Sequence, residues 1–353
     1  MSEGKRYLIG ISQGDINGIG PEVIIKTFMD PRMMERCTPI LYGSSKIISF
    51  HRKMLNLGQF NFAQSRSIDK IQWNTFNIIN CWEEDVPVQL GQKTEAGGKY
   101  AIESLQAAVA DLKSGRIDAL VTTPVNKHIM HSDAFPFKGH TGYLAAQAGV
   151  DDHLMLLCGG NLRVGLVTEH LPITEVPSQI KRETILKKLI LLKQSLVKDF
   201  GIEKPKIAVL ALNPHAGDDG LIGTEETTEI KPAIAEAKSR NIFAMGPYPA
   251  DGFFGAGNFT KFDAILAMYH DQGLIPFKAL SFESGVNYTA GLPFVRTSPD
   301  HGTGFDIAGK NIALEDSFRE AVFLALDILR KRDRYTELTS NPLKKMELNK
   351  EVN

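Results

Sequence analysis

Three strand-like runs in this chain each deliver a histidine just past their carboxyl ends. Residues 163–168 are followed by Glu169-His170, residues 206–212 by Asn213-Pro214-His215, and residues 264–268 by Tyr269-His270. In an open parallel α/β sheet the carboxyl ends line one edge, where ligands bind. Imidazoles converging there hold a divalent ion and leave coordination positions for a substrate oxygen. A lone histidine at a strand exit usually caps or lines a loop. The same placement three times over favours a shared metal site of His170, His215 and His270. Imidazole donors lean towards transition metals, with zinc, cobalt, magnesium and manganese all left open. Asp271, next to His270, either orients that ring, supplies a carboxylate, or caps the helix that follows.

Groups suited to an anion lie nearby. Lys278 and Arg296 flank Val286-Asn287, downstream of the third histidine strand. A phosphorylated ligand is met by an arginine fork or a lysine point charge. His140 and His301 occupy glycine-flanked loops, Lys138-Gly139-His140-Thr141-Gly142 and Asp300-His301-Gly302-Thr303-Gly304. Glycine lets backbone approach a ligand, so each loop reads as a contact site or a plain turn. The segment Gly14-Asp15-Ile16-Asn17-Gly18-Ile19-Gly20-Pro21-Glu22 joins the first strand to the first helix, where anions are favoured. Its spacing is not GxGxxG, and the chain has no GxxxxGK[ST] loop. Taken alone it reads equally as a sharp turn or a nucleotide contact.

The elements that must position these groups alternate. Strands are expected over residues 7–12, 39–42, 76–81, 119–123, 153–158, 163–168, 206–212 and 263–269, several nearly continuous in Val, Ile, Leu and Ala. Helices are expected over 21–29, 97–114, 178–200, 225–240 and 315–331. This alternation predicts an α/β fold with a largely parallel sheet, with an antiparallel addition near 286–296. The polar tail after Arg334 reads as frayed. With 353 residues, 43% apolar and 23% charged, the chain suits two lobes of a soluble protein. No long linker separates them, so the lobes are expected to interleave. A net charge of -1 gives no broad footprint for nucleic acid or an anionic membrane. No apolar run reaches the roughly 18 residues of a membrane helix. The first residues lack a signal-peptide core. The three cysteines form no CxxC pair. A cytoplasmic protein is the expectation.

In their order along the chain these motifs resemble the 4-hydroxythreonine-4-phosphate dehydrogenase family of pyridoxal phosphate biosynthesis. Further matching segments are Thr123-Pro124-Val125-Asn126-Lys127, Thr168-Glu169-His170-Leu171-Pro172, Gly223-Thr224-Glu225-Glu226 and Pro249-Ala250-Asp251. The resemblance implies an isocitrate/isopropylmalate dehydrogenase-like fold of two α/β lobes with a central cleft. Lobe 1, on the cofactor side, would be residues 1–140 plus 295–353; lobe 2, carrying metal, substrate and the dimer contact, would be 141–294. It implies a homodimer with site residues shared between chains. It assigns metal to His170, His215 and His270, and substrate to His140, Thr141, Lys278, Asn287 and Arg296. Looser still, it places NAD, with NADP left open, against Gly14, Gly18 and Gly20 and against the loop of His301, Gly302 and Asp306. Lys278 and Asp271 are the candidates for the base, and Asp251 is grouped with them as a catalytic candidate. The implied reaction oxidises C3 of 4-phosphooxy-L-threonine to a β-keto acid, which decarboxylates to an aminoketone phosphate. Erythronate or threonate 4-phosphate is the alternative substrate. Less favoured are an acyl-phosphate transferase and a non-catalytic phosphoester-binding protein. Two departures stand out: Asp15-Ile16-Asn17 where Glu-Pro-Ala is common, and Gly252 where many members carry Thr.

Overall fold

The computed structural model describes residues 5–133, 135–137, 139–281 and 284–341. Twelve strands form one sheet: β1 Leu8–Ser12, β2 Thr38–Gly43, β3 Ala63–Ser65, β4 Asn77–Asn80, β5 Ala119–Thr122, β6 Leu154–Gly159, β7 Leu162–Leu166, β8 Lys206–Leu210, β9 Phe243–Tyr248, β10 Ala264–Ala267, β11 Val286–Ala290 and β12 Val295–Pro299. Their spatial order is β3-β4-β2-β1-β5-β12-β11-β6-β7-β10-β8-β9. The strands from β3 to β12 in that order pair in parallel, as do those from β7 to β9. Between them, β11 runs antiparallel to both β12 and β6, and β6 antiparallel to β7. The two parallel halves therefore run in opposite senses within one sheet.

The two faces of this sheet are covered differently. On one face a single apolar layer runs through both halves, from Ile9 and Ile11 under Val23 and Phe318 to Ile207 and Val209 under Leu189 and Ile234. On the other face there are two separate clusters. One packs β2 and β5 against the Glu95–Lys113 helix through Leu120, Leu105 and Ala108. The second packs β6, β7 and β10 against the His270–Ser281 helix through Leu157, Leu166 and Phe277. Strands β12 and β11 lie between these clusters. Strands covered on both faces read as continuous apolar runs, which explains why β1, β5, β6 and β10 are legible in the sequence.

A buried network ties the halves together. Asp199, ending the Arg182–Lys198 helix, accepts from Ser195 Oγ at 2.7 Å, Tyr288 Oη at 2.6 Å and Arg332 Nε at 2.7 Å. Arg332 also donates to the carbonyls of Leu292 and Pro293. The Asp199→Ala variant leaves the largely covered Arg332 without its counter-charge. It is expected to lose about 3–5 kcal/mol, read as a lower urea midpoint at unchanged slope. An unshifted midpoint would show that the network contributes nothing.

The structure departs from the sequence reading in several places. Residues 334–339 are not frayed: the last helix runs Asp316–Thr339, while residues 342–353 lie outside the described set, as does Lys138. The antiparallel element near 286–296 is no peripheral addition, since β11 sits at the centre of the sheet. The helix expected over 178–200 is two helices, Val176–Gln179 and Arg182–Lys198, broken at Ile180 where ψ is 88°. The helix expected over 225–240 opens with a π-helical turn, Glu226–Ile230, before Lys231–Ser239. The loop around His140 opens a helix, His140–Ala148.

Candidate functional site

A cavity of about 300 Å³ opens on the central strands, on the face where the covering layer divides. Its floor is one pleat face: Thr122 of β5, Arg296 and Ser298 of β12, Asn287 of β11 and Met155 of β6. The registers require this, because Ser298 pairs with Asn287 and residues two apart share a face. The walls carry Lys127, His140, Thr141, His170, His270, Lys278, Asp300, His301 and Gly302. Carboxyl-end loops of both halves thus reach one cavity, although those ends face opposite edges of the sheet.

Arg296 is 3% exposed and makes no ion pair among the described residues. Its Nε and Nη2 donate to Thr122 Oγ1 at 3.1 and 2.6 Å, and Nη1 to Thr289 Oγ1 at 3.2 Å. Burial brings its pKa down to about 10, so it stays cationic at neutral pH. A buried guanidinium held by two hydroxyls calls for an anion. Around it, His140 Nε2, Asn287 Oδ1 and His301 Nε2 are buried without hydrogen-bond partners. Burial, then the nearby charges of Arg296 and Lys127, holds His140 well below the usual imidazole range. Burial also lowers His301. Such unpaired groups cost free energy unless a ligand satisfies them. Lys278 Nζ stands 3.5 Å from Asp300 Oδ1, and burial raises the pKa of Asp300.

Two of the three metal candidates come together. His170 and His270 follow β7 and β10, which are adjacent and parallel, and their ring centroids lie 5.6 Å apart. Asp271 Oδ1 accepts from His270 Nδ1 at 2.7 Å, which orients that ring and leaves Nε2 free. Burial, then Lys127, lowers His170. His215 follows β8, which pairs with β10, but it is exposed and lines no part of the cavity. It opens a run of six residues with positive φ, His215 to Gly220, four of them not glycine. The buried Glu226 holds this loop, accepting the N–H groups of Leu212 and Asn213 at 2.8 Å. Strain of this kind, sustained by a buried carboxylate, is typical of functional loops. Among the described residues no three His, Cys, Asp or Glu side chains form a metal cage. The donor chemistry fits a transition metal, and a single copy brings together only two of its imidazoles.

The remaining candidates divide. His301 and Gly302 edge the cavity, and a Cβ on Gly302 would meet nothing within 4 Å, so this loop is open to a ligand. Asp306 is exposed beyond them. Gly14, Gly18 and Gly20 are buried: a Cβ on Gly18 would lie 2.7 Å from Thr303 O, and Ile19 N donates to that oxygen at 3.0 Å. That turn braces the 301–309 loop from beneath. Asp15 and Asn17 belong to the bracing. Asn17 binds Thr94 Oγ1 at 2.8 Å, and Asp15 Oδ1 accepts Asn17 N at 2.9 Å. Asp251 is exposed in the first turn of the Ala250–Gly255 helix, outside the cavity lining. A Cβ on Gly252 would likewise meet nothing within 4 Å, so nothing in the structure explains its departure. The sequence reading does not single out Lys127, Thr122, Thr289 or Asp300. Applying the strand-end argument to β5, and not to histidines alone, would have found Lys127.

The pattern of the pyridoxal phosphate biosynthetic protein PdxA matches residues 35–325. The chain belongs to the PdxA family. A 4-hydroxythreonine-4-phosphate dehydrogenase of Bacteroides thetaiotaomicron is 50% identical, covering 97% of this chain and 94% of its own. Another of that name, from Aquifex aeolicus, is 41% identical, covering 92% and 98%. Among solved structures, a 4-hydroxythreonine-4-phosphate dehydrogenase from Klebsiella pneumoniae superposes with a TM-score of 0.79 at 32% identity, covering 93% of this chain and 99% of that one. The PdxA fold accounts for the mixed α/β sheet. As a dehydrogenase family, PdxA proteins use a nucleotide cofactor. No helix among the described residues is long and apolar enough to cross a membrane.

Proposed function

We propose that this chain oxidises 4-phosphooxy-L-threonine at C3 with NAD and a divalent metal, in pyridoxine phosphate biosynthesis. The observation that carries the reading is the buried, counter-ion-free Arg296 beside the His170–His270 pair in one cavity. It joins an anion seat to a metal-type donor set. Membership of a family whose relatives carry this enzyme name supports it. The metal, when bound, would polarise the oxygen being oxidised, and the nicotinamide would accept the electrons.

The chain's own residues do the rest. Arg296, fixed by Thr122 and Thr289, seats the phosphate. His140, Asn287 and His301 satisfy their unpaired atoms on the substrate and hold it in one orientation. Met155 in the floor and Leu274 beside it exclude water from one side of the cavity. Asp271 spends its Oδ1 on His270, so Lys278 is the group placed to act as base once its ammonium has handed a proton to the Asp300 carboxylate 3.5 Å away. His301, Gly302 and Asp306 lead towards the dinucleotide; the exposed Asp306 carboxylate suits a ribose hydroxyl and repels a 2′-phosphate, which favours NAD over NADP. The protein is read as a homodimer of interleaved lobes. His215 and Asp251 stand outside the cavity of one copy, and a second copy would supply them. Exposed Leu171, Ile173, Leu221 and Ile275 would be covered there; Leu221 is 84% exposed.

A relative from Oceanobacillus iheyensis, 38% identical, is named provisionally as a D-threonate 4-phosphate dehydrogenase, which supports a second reading with the same cavity. The test is NADH formation with metal present, using 4-phosphooxy-L-threonine beside erythronate and threonate 4-phosphates. A clear preference for the amino acid is expected. Turnover of the sugar acids alone would replace the first reading with the second, and no NADH with any of them would remove both.

A further inference from the structure

The cavity is lined by three cations, and one of them has no task in the account above. Lys278 faces Asp300, and Arg296 is pinned into the floor. Lys127 makes no ion pair among the described residues, and its Nζ stands 3.5 Å from His170 Nε2. Its place is built rather than incidental. Asn126 Oδ1 accepts the N–H groups of His128 and Ile129 at 3.1 and 3.2 Å, which fixes the start of the Lys127–Met130 turn. The aliphatic stem of Lys127 lies on the backbone of Gly139. A Cβ there would meet the Lys127 Cε, Cγ and Cδ atoms at 3.4, 3.5 and 3.6 Å, and the φ of 138° at Gly139 disfavours any side chain. A lysine whose stem lies along backbone and whose ammonium ends beside the His170 imidazole is held at the cavity wall.

We propose that Lys127 binds the carboxylate of the substrate, at the end of the cavity marked by His170 and His270. The proposal rests on the reading of the substrate as a phosphorylated β-hydroxy acid. Such a molecule carries two anionic ends about the carbon to be oxidised. The carboxylate carbon is two bonds from that carbon and the phosphorus three. The cation nearest the imidazoles therefore faces the carboxylate, and the more distant end falls to Arg296. The chemistry of each group agrees: a compact ammonium suits a monoanion, while the pinned guanidinium fork suits a phosphate. A ligand held at both ends places its middle carbon in one position, which a ligand held only by phosphate would not.

The test compares two ligands that differ only in the carboxylate. Full-length protein with metal, but without NAD, is titrated calorimetrically with 4-phosphooxy-L-threonine and with 3-amino-2-hydroxypropyl phosphate. Lys127→Met is expected to weaken the first by about 10- to 100-fold, the range for a hydrogen bond between charged groups, and the second by less than about 3-fold. Lys127→Arg keeps most of the affinity for the acid. Arg296→Met weakens both ligands. Equal losses for both ligands in Lys127→Met would place the lysine at the phosphate and overturn the proposal. Unchanged affinity for the acid would also overturn it. A parent protein that binds neither ligand sinks the substrate reading itself, and this assignment with it.

Discussion

Arg296→Met is expected to lower kcat/KM for the phosphorylated substrate by about 100- to 1000-fold, while leaving the fold about as stable as the parent. Both halves of this expectation come from one environment. The guanidinium is buried with hydroxyl partners and no carboxylate. Burial disfavours its charged form and brings its pKa down from the usual guanidinium range to about 10. The unfolded chain therefore holds that proton more tightly than the folded one. The resulting cost to stability, roughly 3 kcal/mol, is fully present below about pH 10 and is relieved only as pH rises above that towards the unfolded guanidinium range. Methionine removes that cost at neutral pH and fills much of the volume. Against it stand two hydroxyls, Thr122 and Thr289, each losing a charged guanidinium donor at about 1.5 kcal/mol. In substrate binding the balance reverses, because the phosphate loses its fully buried cation. Urea unfolding and steady-state kinetics on one preparation check the two parts. An unchanged KM would remove Arg296 from the phosphate seat. A large drop in the urea midpoint would show that Arg296 is structural.

How much of this was legible in the sequence follows from what each residue's neighbours are. The runs that became β1, β5, β6 and β10 are apolar throughout because helices cover both of their faces, and that signal survives in one dimension. The placement of His170 and His270 was also legible, since a strand end fixes which edge of a sheet a residue reaches. The edge strands were not: β3 has three residues, and β9 carries Gly246-Pro247 and the exposed Phe243. The central position of β11 was hidden because antiparallel pairing leaves no mark in a single run. The reversal it creates brings Lys127 and Thr122 of one half over the histidines of the other. The glycines of the first turn announced a tight backbone, and what lies against it, the Thr303 carbonyl, comes from nearly the other end of the chain. The helix behind His140 opens with Gly-His-Thr-Gly, a poor helical start. The lysine at 127 looks like any solvated lysine until Gly139 is found beneath its stem.

The largest effect is expected at His215, and the way it is measured decides how the site is assembled. His215→Ala should lower metal affinity by more than about 100-fold and lower turnover with it, as should His170→Ala. The residue lies outside the cavity of its own copy, on a loop whose six positive-φ residues are held by Glu226. In a two-fold homodimer whatever one copy lends the other is returned, so two equivalent sites result. If His215 crosses to its neighbour, a dimer of one His215→Ala chain and one His170→Ala chain has one site with both defects and one with neither. Random reassociation of the two inactive proteins should then restore about a quarter of parental activity, because half the dimers are mixed and each has one working site. If the three imidazoles belonged to a single copy, each mixed dimer would carry one defect per site and the mixture would stay inactive. Metal content of the mixture gives the same answer without reference to turnover. Near-normal activity of His215→Ala alone, after chelation and metal return, would exclude the three-histidine site altogether.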